Sequence, residues 1–245
     1  ASTGQPTAIA VEYAPGSRWQ YSGGGYLILQ LLVEEVSRQS FATFMREAVL
    51  APLDLSCSSF EHTTSANAAE AYDATGRAAP TYRYAAAGAT GFSTCVGDMV
   101  RWVQAHVSSG PAAPLDADLQ RRMREPHGKQ FGADIWGLGT MLYAPTAADA
   151  FVFGHDGQNA PAINAAVRIN PDNGDAIVVL TSGGRLLATR LASEWTYWQT
   201  GGPDFLVIRT ALREAVVPLL AGWAAVIAAA TIYVRARNRT AAHAG

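Results

Sequence analysis

The stretch AINAAVRINPDNGDAIVVLT, residues 162–181, holds two strand-like runs, Ala162 to Ile169 and Asp175 to Thr181. Between them stands Asn170-Pro171-Asp172-Asn173-Gly174, a turn-forming segment whose Asn-Gly pair is a strong hairpin signal. A third apolar run, Trp136 to Tyr143, precedes this pair, and a strand-like run also leads into Gly154-His155-Asp156-Gly157. Helical spacing dominates the segment before these runs. Gly24 to Arg38 places Leu27, Leu31, Leu32 and Val36 on one face with Gln30, Glu34 and Glu35 between them. A second helix is expected over Phe41 to Leu50, stopping at Pro52. A third, capped by Ser93 or Thr94, is expected to run through Met99, Val100, Trp102 and Val103 to Gly110-Pro111. Glu61 to Ala89 lacks periodicity and reads as a surface excursion. A last amphipathic helix, Leu187 to Trp198, ends at Gly201-Gly202-Pro203. Helices first and an antiparallel meander afterwards predict an α+β fold, a sheet flanked by helices with a helical subdomain.

Val216 to Val234, VVPLLAGWAAVIAAATIYV, is 19 residues without a charge. As a helix it spans about 28 Å, close to the hydrocarbon thickness of a bilayer. Arg235, Arg237 and Arg239 follow at once, while Arg209 and Arg213 on the other side are accompanied by Asp204 and Glu214. The positive excess predicts a cytoplasmic C-terminus and an extracytoplasmic main domain. Pro218 falls in the first turn of this span, where its missing N–H costs little. The expected organisation is a domain over 1–202, a linker over 203–215, a transmembrane helix over 216–234 and a basic tail over 235–245. The opening ASTGQPTAIA has neither a basic nor an apolar signal region and starts with Ala, so an incomplete or processed chain is expected.

The 245 residues carry 18 basic and 20 acidic side chains, a net charge of −2, with 49% hydrophobic residues. This composition excludes a disordered chain and offers no electrostatic footprint for nucleic acid. Cys57 and Cys95 form no metal-ligand cluster; they read as two small apolar core residues, with pairing open if the domain is exported. No metal and no cofactor is expected. His62, His106 and His127 belong to no motif and are read as surface; Trp102 and Trp136 are read as core. Asp98, Asp156 and the pair Glu34 and Glu35 read as a first-turn helix acid, a turn residue and a solvated face.

Several segments occur together in an order that resembles a known family. Pro15-Gly16 through Tyr21-Ser22, Leu31 to Phe44, Pro52-Leu53-Asp54-Leu55, Phe60, Ala87-Gly88 to Asp98, Trp136-Gly137-Leu138-Gly139, Gly154-His155-Asp156-Gly157 and Val178 to Ser182 are similar to boxes of the serine β-lactamase and penicillin-binding-protein superfamily. The branch it looks like is that of class C β-lactamases, D-alanyl-D-alanine peptidases and related esterases. The resemblance implies acyl transfer by an active serine on a small-molecule or peptidic substrate. It implies that the Tyr21 phenolate, kept ionised by nearby cations, carries the serine proton to the leaving group. It implies that His155 polarises or anchors the substrate from an edge strand, that Gly157 lets the substrate lie close, and that the Gln158 N–H serves the oxyanion. Ser22, Gly23 and Asp156 would lie with Gly157 along the substrate. Gly23 stands where the family has asparagine, which removes a side-chain amide for a substrate carbonyl.

The family's Ser-x-x-Lys element is absent from these letters. The single lysine is Lys129, and Pro126 stands three residues before it. The expectation is an N-terminally incomplete enzyme whose nucleophile lies upstream, with an open sheet edge and a partly exposed core. The alternative is a non-catalytic, membrane-anchored domain that binds a ligand or partner through the same cleft.

Overall fold

A computed structural model describes residues 9–61, 67–82, 86–107 and 116–242 of the chain. It divides into two compact units, Ala1–Gly202 and Pro203–Gly245. The first is built on a six-stranded antiparallel sheet in the order β1 to β6, a meander in which each strand pairs with its successor. The strands are β1 Gly128–Gln130, β2 Ala133–Trp136, β3 Met141–Pro145, β4 Phe151–Asn159, β5 Ile163–Ile169 and β6 Ala176–Ser182. The expected hairpin is present: Ile169 pairs with Ala176, and the Asn170 N–H donates to Asp175 O across the turn, 2.8 Å. The run expected from Trp136 to Tyr143 is instead two strands, because Gly137 to Thr140 form the turn between them. The Gly154-His155-Asp156-Gly157 box lies inside the nine-residue β4 and not at a strand end.

Among the described residues, six helical segments accompany the sheet in this unit. They are α1 Gly23–Ser37, α2 Phe41–Met45 continuing into a π-helical turn Arg46–Leu50, α3 Ala87–Thr90, α4 Val96–Val107, α5 Ala117–Arg124 and α6 Leu187–Thr200. α5 has no counterpart in the periodicity reading, since its sequence ADLQRRMR offers only two apolar anchors; Asp116 caps it by accepting from the Leu119 N–H at 2.8 Å. The expected stop of α4 at Gly110-Pro111 lies outside the described residues. α6 ends on Gly201 in the left-handed region (φ 67°), whose N–H donates to Tyr197 O.

The sheet has two different faces. On one, Phe153, Val167 and Ile169 pack with Leu142 and with Val103 of α4. On the other, Ala166 packs against Ala188 and Ala192 of α6, where small side chains let helix and strand approach closely. Asp156 and Arg168 share this second face, and the Arg168 side chain is fully buried there. A second cluster, Leu50, Leu53, Leu55 and Ala105, forms the core of the helical subdomain.

Three readings of single residues are corrected by this packing, and that of Asp98 as a first-turn helix acid holds. Cys57 and Cys95 are not separate core residues; they form a disulfide closing a 38-residue separation, with Cα atoms 6.0 Å apart. The Asp98 carboxylate is buried at the start of α4 and accepts from the Cys57 N–H (2.8 Å) and the Ser58 hydroxyl (2.7 Å), so it anchors the same segment. Trp136 lines a cleft instead of filling the core. His106 is buried, 7% exposed, with Nδ1 2.8 Å from Trp102 O and its ring 3.9 Å from the Trp102 ring. His62 lies outside the described residues, and His127 is exposed as expected.

Burial pushes the His106 pKa down; the Trp102 carbonyl opposes this, and the Arg124 charge adds to the lowering. Its folded pKa therefore lies below the unfolded value near 6.5, so as pH falls below about 6.5 the unfolded chain binds the proton first and stability drops. The expected result is a urea midpoint that decreases from pH 7.5 to pH 5, with a shallower decrease in His106→Gln. An unchanged slope in that variant would remove His106 as a source of the acid sensitivity.

α1 has no buried residue, and Leu27, Ile28, Leu29, Leu31 and Leu32 are all exposed. The apolar stripe predicted from its spacing is thus present but largely uncovered. The contacts that hold α1 are polar: Gln30 Oε1 accepts from the Gly88 N–H at 2.9 Å, and Glu34 Oε1 from the Phe41 N–H at 3.0 Å.

The second unit is one helix, α7 Phe205–Ala242. Within it Phe205–Tyr233 is long and apolar enough to cross a membrane, by length and composition. The helix begins eleven residues before the expected span start at Val216, so 203–215 is helical over most of its length and Pro218 is an interior residue, not a first-turn one.

Candidate active site

Tyr21 is placed by the start of α1. Ser22 is the N-cap, extended in backbone, and its Oγ accepts from the Gly25 N–H at 3.1 Å. That bond fixes the direction in which the preceding residue leaves the helix. Ser22, expected beside the substrate, lines the cleft, and its Oγ accepts the cap bond while its O–H can still donate. A side chain at Gly23 would meet nothing within 4 Å, so an asparagine would fit there and its absence is not forced by packing.

β4 supplies the opposite wall. Its pairing with β3 ends at Met141 and Gly154, whereas its pairing with β5 continues to Asn159 and Ile163. Among the described residues β4 is therefore flanked by a strand on one side only from His155 onward, and this interior strand presents a local free edge. A Cβ on Gly154 would stand 2.0 Å from Val167 O, so close approach of β4 and β5 requires glycine where that edge begins. His155 pairs with Val167, on the sheet face opposite to α6. Gly157 and Gln158 follow on the free portion and are exposed. A Cβ on Gly157 would meet only Ala165 Cβ, at 3.8 Å, so neighbouring packing does not demand glycine there.

These elements bring Tyr21 and His155 together, with ring centroids 6.3 Å apart. Trp136 touches both: it meets Tyr21 edge to face at 5.6 Å and His155 at 5.7 Å. Tyr21 is 55% exposed and reachable from solvent. Burial lowers the His155 pKa; Asp156 counteracts through its backbone and charge, and the Arg168 charge adds to the lowering. At neutral pH the imidazole is uncharged, a hydrogen-bonding group and not a cation.

Asp156 does not share this cleft through its side chain. Its carboxylate pairs with Arg168, with Nη2 to Oδ2 at 3.1 Å and Nη1 to Oδ1, and it accepts from the Tyr143 hydroxyl at 3.3 Å. Alternation along β4 turns it to the α6 face, so the expectation that its carboxylate lies along the substrate gives way to a role inside the sheet. Lys129 is exposed on β1 and pairs with Asp134 at 3.0 Å.

Three aromatic residues of this region were not marked as site residues. Trp19 lies against Trp136 with centroids 5.3 Å apart, and Trp19, Trp136 and Tyr26 line a cavity that opens beside Tyr21. For Trp19 and Tyr26 the available signal was sequence proximity to the tyrosine turn, two residues before Tyr21 and five after it; Trp136 carried no such signal. Among the described residues that line this cavity there is no Asp, Glu, Lys or Arg, and His127 is a further lining residue.

A family model described as Beta-lactamase matches residues 4–200. Among solved structures, the chain is similar to an octameric penicillin-binding protein homologue from Pyrococcus abyssi (TM-score 0.64, 22% identity, 78% of this chain and 43% of that one). It is also similar to a penicillin binding protein from Bacillus halodurans (TM-score 0.61, 20% identity, 75% and 58%). A third is a β-lactamase/D-alanine carboxypeptidase from Pseudomonas syringae (TM-score 0.63, 18% identity, 80% and 63%). The chain spans less than two thirds of the length of each. No curated protein sequence matches it.

Proposed function

This chain belongs to the β-lactamase family, within the serine β-lactamase and penicillin-binding-protein superfamily, and from that premise we propose that its cleft is the proton-carrying half of a serine acyl-transfer site. The observation that carries the reading is the meeting of Tyr21 and His155, 6.3 Å apart, at the free edge of β4. The nucleophile is a serine of a Ser-x-x-Lys element supplied by a segment outside this sequence. The serine Oγ adds to an ester or amide carbonyl while its proton passes to the Tyr21 phenolate. The bond to the leaving group then breaks, and the proton passes from Tyr21 to the departing oxygen or nitrogen. Water repeats the addition on the acyl-enzyme, releasing the acid and restoring the serine. The Gln158 N–H donates to the oxyanion, the neutral His155 holds the substrate by hydrogen bonding, and Gly157 leaves room for it against the strand. Among the described residues no Lys or Arg lines the cleft beside Tyr21, and in this reading the positive charge beside its oxygen comes from the lysine of the same Ser-x-x-Lys element.

The protein is membrane-anchored, with 216–234 as the span, 235–245 as a cytoplasmic tail and the domain outside the cytoplasm. The arginines after the span support this orientation, and so does the Cys57–Cys95 disulfide, a bond that persists in oxidising compartments.

A second reading, a non-catalytic binding domain, is favoured by Gly23 in place of asparagine. The test is to isolate the native protein from its membrane fraction, measure its intact mass and treat it with a serine-directed phosphonate probe. A mass well above 25.9 kDa, with the probe on a serine three residues before a lysine, is the expected result. A mass of 25.9 kDa without labelling would establish the binding domain instead.

A further inference from the structure

Beyond Tyr21 the cleft continues into a cavity of about 380 Å³ between the first turns of α1 and the β2–β3 turn. One wall is the pair Trp19 and Trp136, whose planes are tilted by 44°. Trp19 is seated on β1: a Cβ at Gly128 would stand 2.4 Å from its Cδ1, so the strand carries glycine where the indole lies. The β2–β3 turn is held by α5, because Met123 O accepts from the Leu138 N–H (2.9 Å) and the Thr140 hydroxyl (2.8 Å). A Cβ at Gly137 would collide with that same carbonyl at 2.0 Å. The aromatic wall is therefore braced from behind by backbone contacts.

The opposite wall is the first turns of α1, with Gly25 and Tyr26. A Cβ at Gly25 would touch only Ser22, at 3.8 Å or more, so nothing in the packing demands glycine there and its lack of a side chain leaves the cavity open. The Tyr26 phenol has its pKa raised by burial and by Tyr21, and it stays a neutral hydrogen-bond donor. Among the described residues the lining holds no Asp, Glu, Lys or Arg, and His127, itself exposed, supplies an imidazole, so a carboxylate leaving water here gains no lysine or arginine partner.

We propose that this cavity receives a neutral, ring-bearing portion of the substrate, so that the substrate class is an aryl or arylalkyl ester. The inference rests on the acyl-transfer reading for the word substrate; the binding itself needs no nucleophile. Flat indole and phenol faces accept a ring in offset or edge-on contact. The volume lies at the lower end of the range for small-molecule sites, about 300–1,000 Å³, and holds one or two fused rings. The Tyr26 hydroxyl donates to an ester or ether oxygen at the rim. A peptide whose carboxylate entered here would find no Lys or Arg among the described lining residues.

The test uses the full chain in lipid nanodiscs, with empty nanodiscs as the reference for partitioning, and two probes sharing one ring system: 2-naphthylmethanol and 2-naphthoate. Calorimetric titration is expected to show the neutral probe binding at least tenfold more tightly than the carboxylate. Gly25→Leu, which fills the cavity from the helix side, is expected to weaken the neutral probe tenfold or more. Its unfolding midpoint should be unchanged or raised, because leucine is the better helix former. Equal binding of the two probes, or full binding by a folded Gly25→Leu protein, overturns the inference. If naphthyl binding behaves as described while Tyr21→Phe leaves probe labelling of the native-length protein unaltered, the cavity stands as a ligand site and the acyl-transfer reading falls. Labelling that depends on Tyr21 without naphthyl binding removes the substrate class alone.

Discussion

Tyr21→Phe in the native-length protein is expected to lower serine-directed labelling by roughly 10²-fold or more, because the phenol oxygen is the group that takes and returns the serine proton. The substitution removes one exposed oxygen and leaves the ring in place. The edge-to-face contact with Trp136 and the approach to His155 depend on that ring, so folding should be unaffected. A structural role would predict the reverse, a shifted unfolding midpoint with labelling intact. Labelling within about threefold of the unmodified protein would end the assignment of Tyr21 as proton carrier. His155→Ala offers a contrast: a neutral imidazole that holds the substrate should chiefly affect binding of the ester, with a smaller effect on the rate at saturation.

Arg168→Ala is expected to cost about 3–5 kcal/mol of stability, the range for breaking a buried ion pair from one side. The guanidinium is completely buried, binds both oxygens of Asp156 and lies 3.3 Å from the centroid of the Tyr143 ring. Its removal leaves a carboxylate on the covered face of β4 and a void under α6. Replacing both partners with apolar residues, Arg168→Met together with Asp156→Leu, should recover most of the loss, since no charge is then stranded. Because Asp156 follows His155 directly, the single variant should also loosen the free edge of β4. The measurement is chemical denaturation of both variants alongside the unmodified chain. A single-variant loss below about 1 kcal/mol would show that the pair contributes little beyond filling space.

The β5–β6 hairpin, the helix that follows the glycine-rich turn at Gly24, the end of α6 at Gly201 and the apolar helix that contains 216–234 were all legible in the letters. Each depends on neighbours within a few residues: a turn-forming pair, apolar residues at helical spacing, a glycine able to adopt positive φ, an unbroken apolar run. The ordered boxes from Pro15 to Ser182 likewise pointed to the family, because they keep their order along the chain whatever their arrangement in space.

Tertiary structure decided what alternation and capping leave open. Asp156 and His155 are adjacent in sequence, yet the strand sends one under α6 to Arg168 and the other toward Tyr21. Position inside β4, rather than at its end, sets that divergence. Trp136 could have been core by composition; the turn braced by Met123 O puts it in the cleft wall with Trp19, more than a hundred residues away in sequence. Cys57 pairs with Cys95 because Asp98 and Ser58 hold the two segments together, a contact that no local spacing announces. The sequence by itself determined the family and most of the elements, since these follow from local chemistry and order, while the short polar α5 and the split of Trp136–Tyr143 into β2 and β3 escaped it. Only the fold decided which side chains share a surface, since that depends on which residues distant in sequence pack against one another.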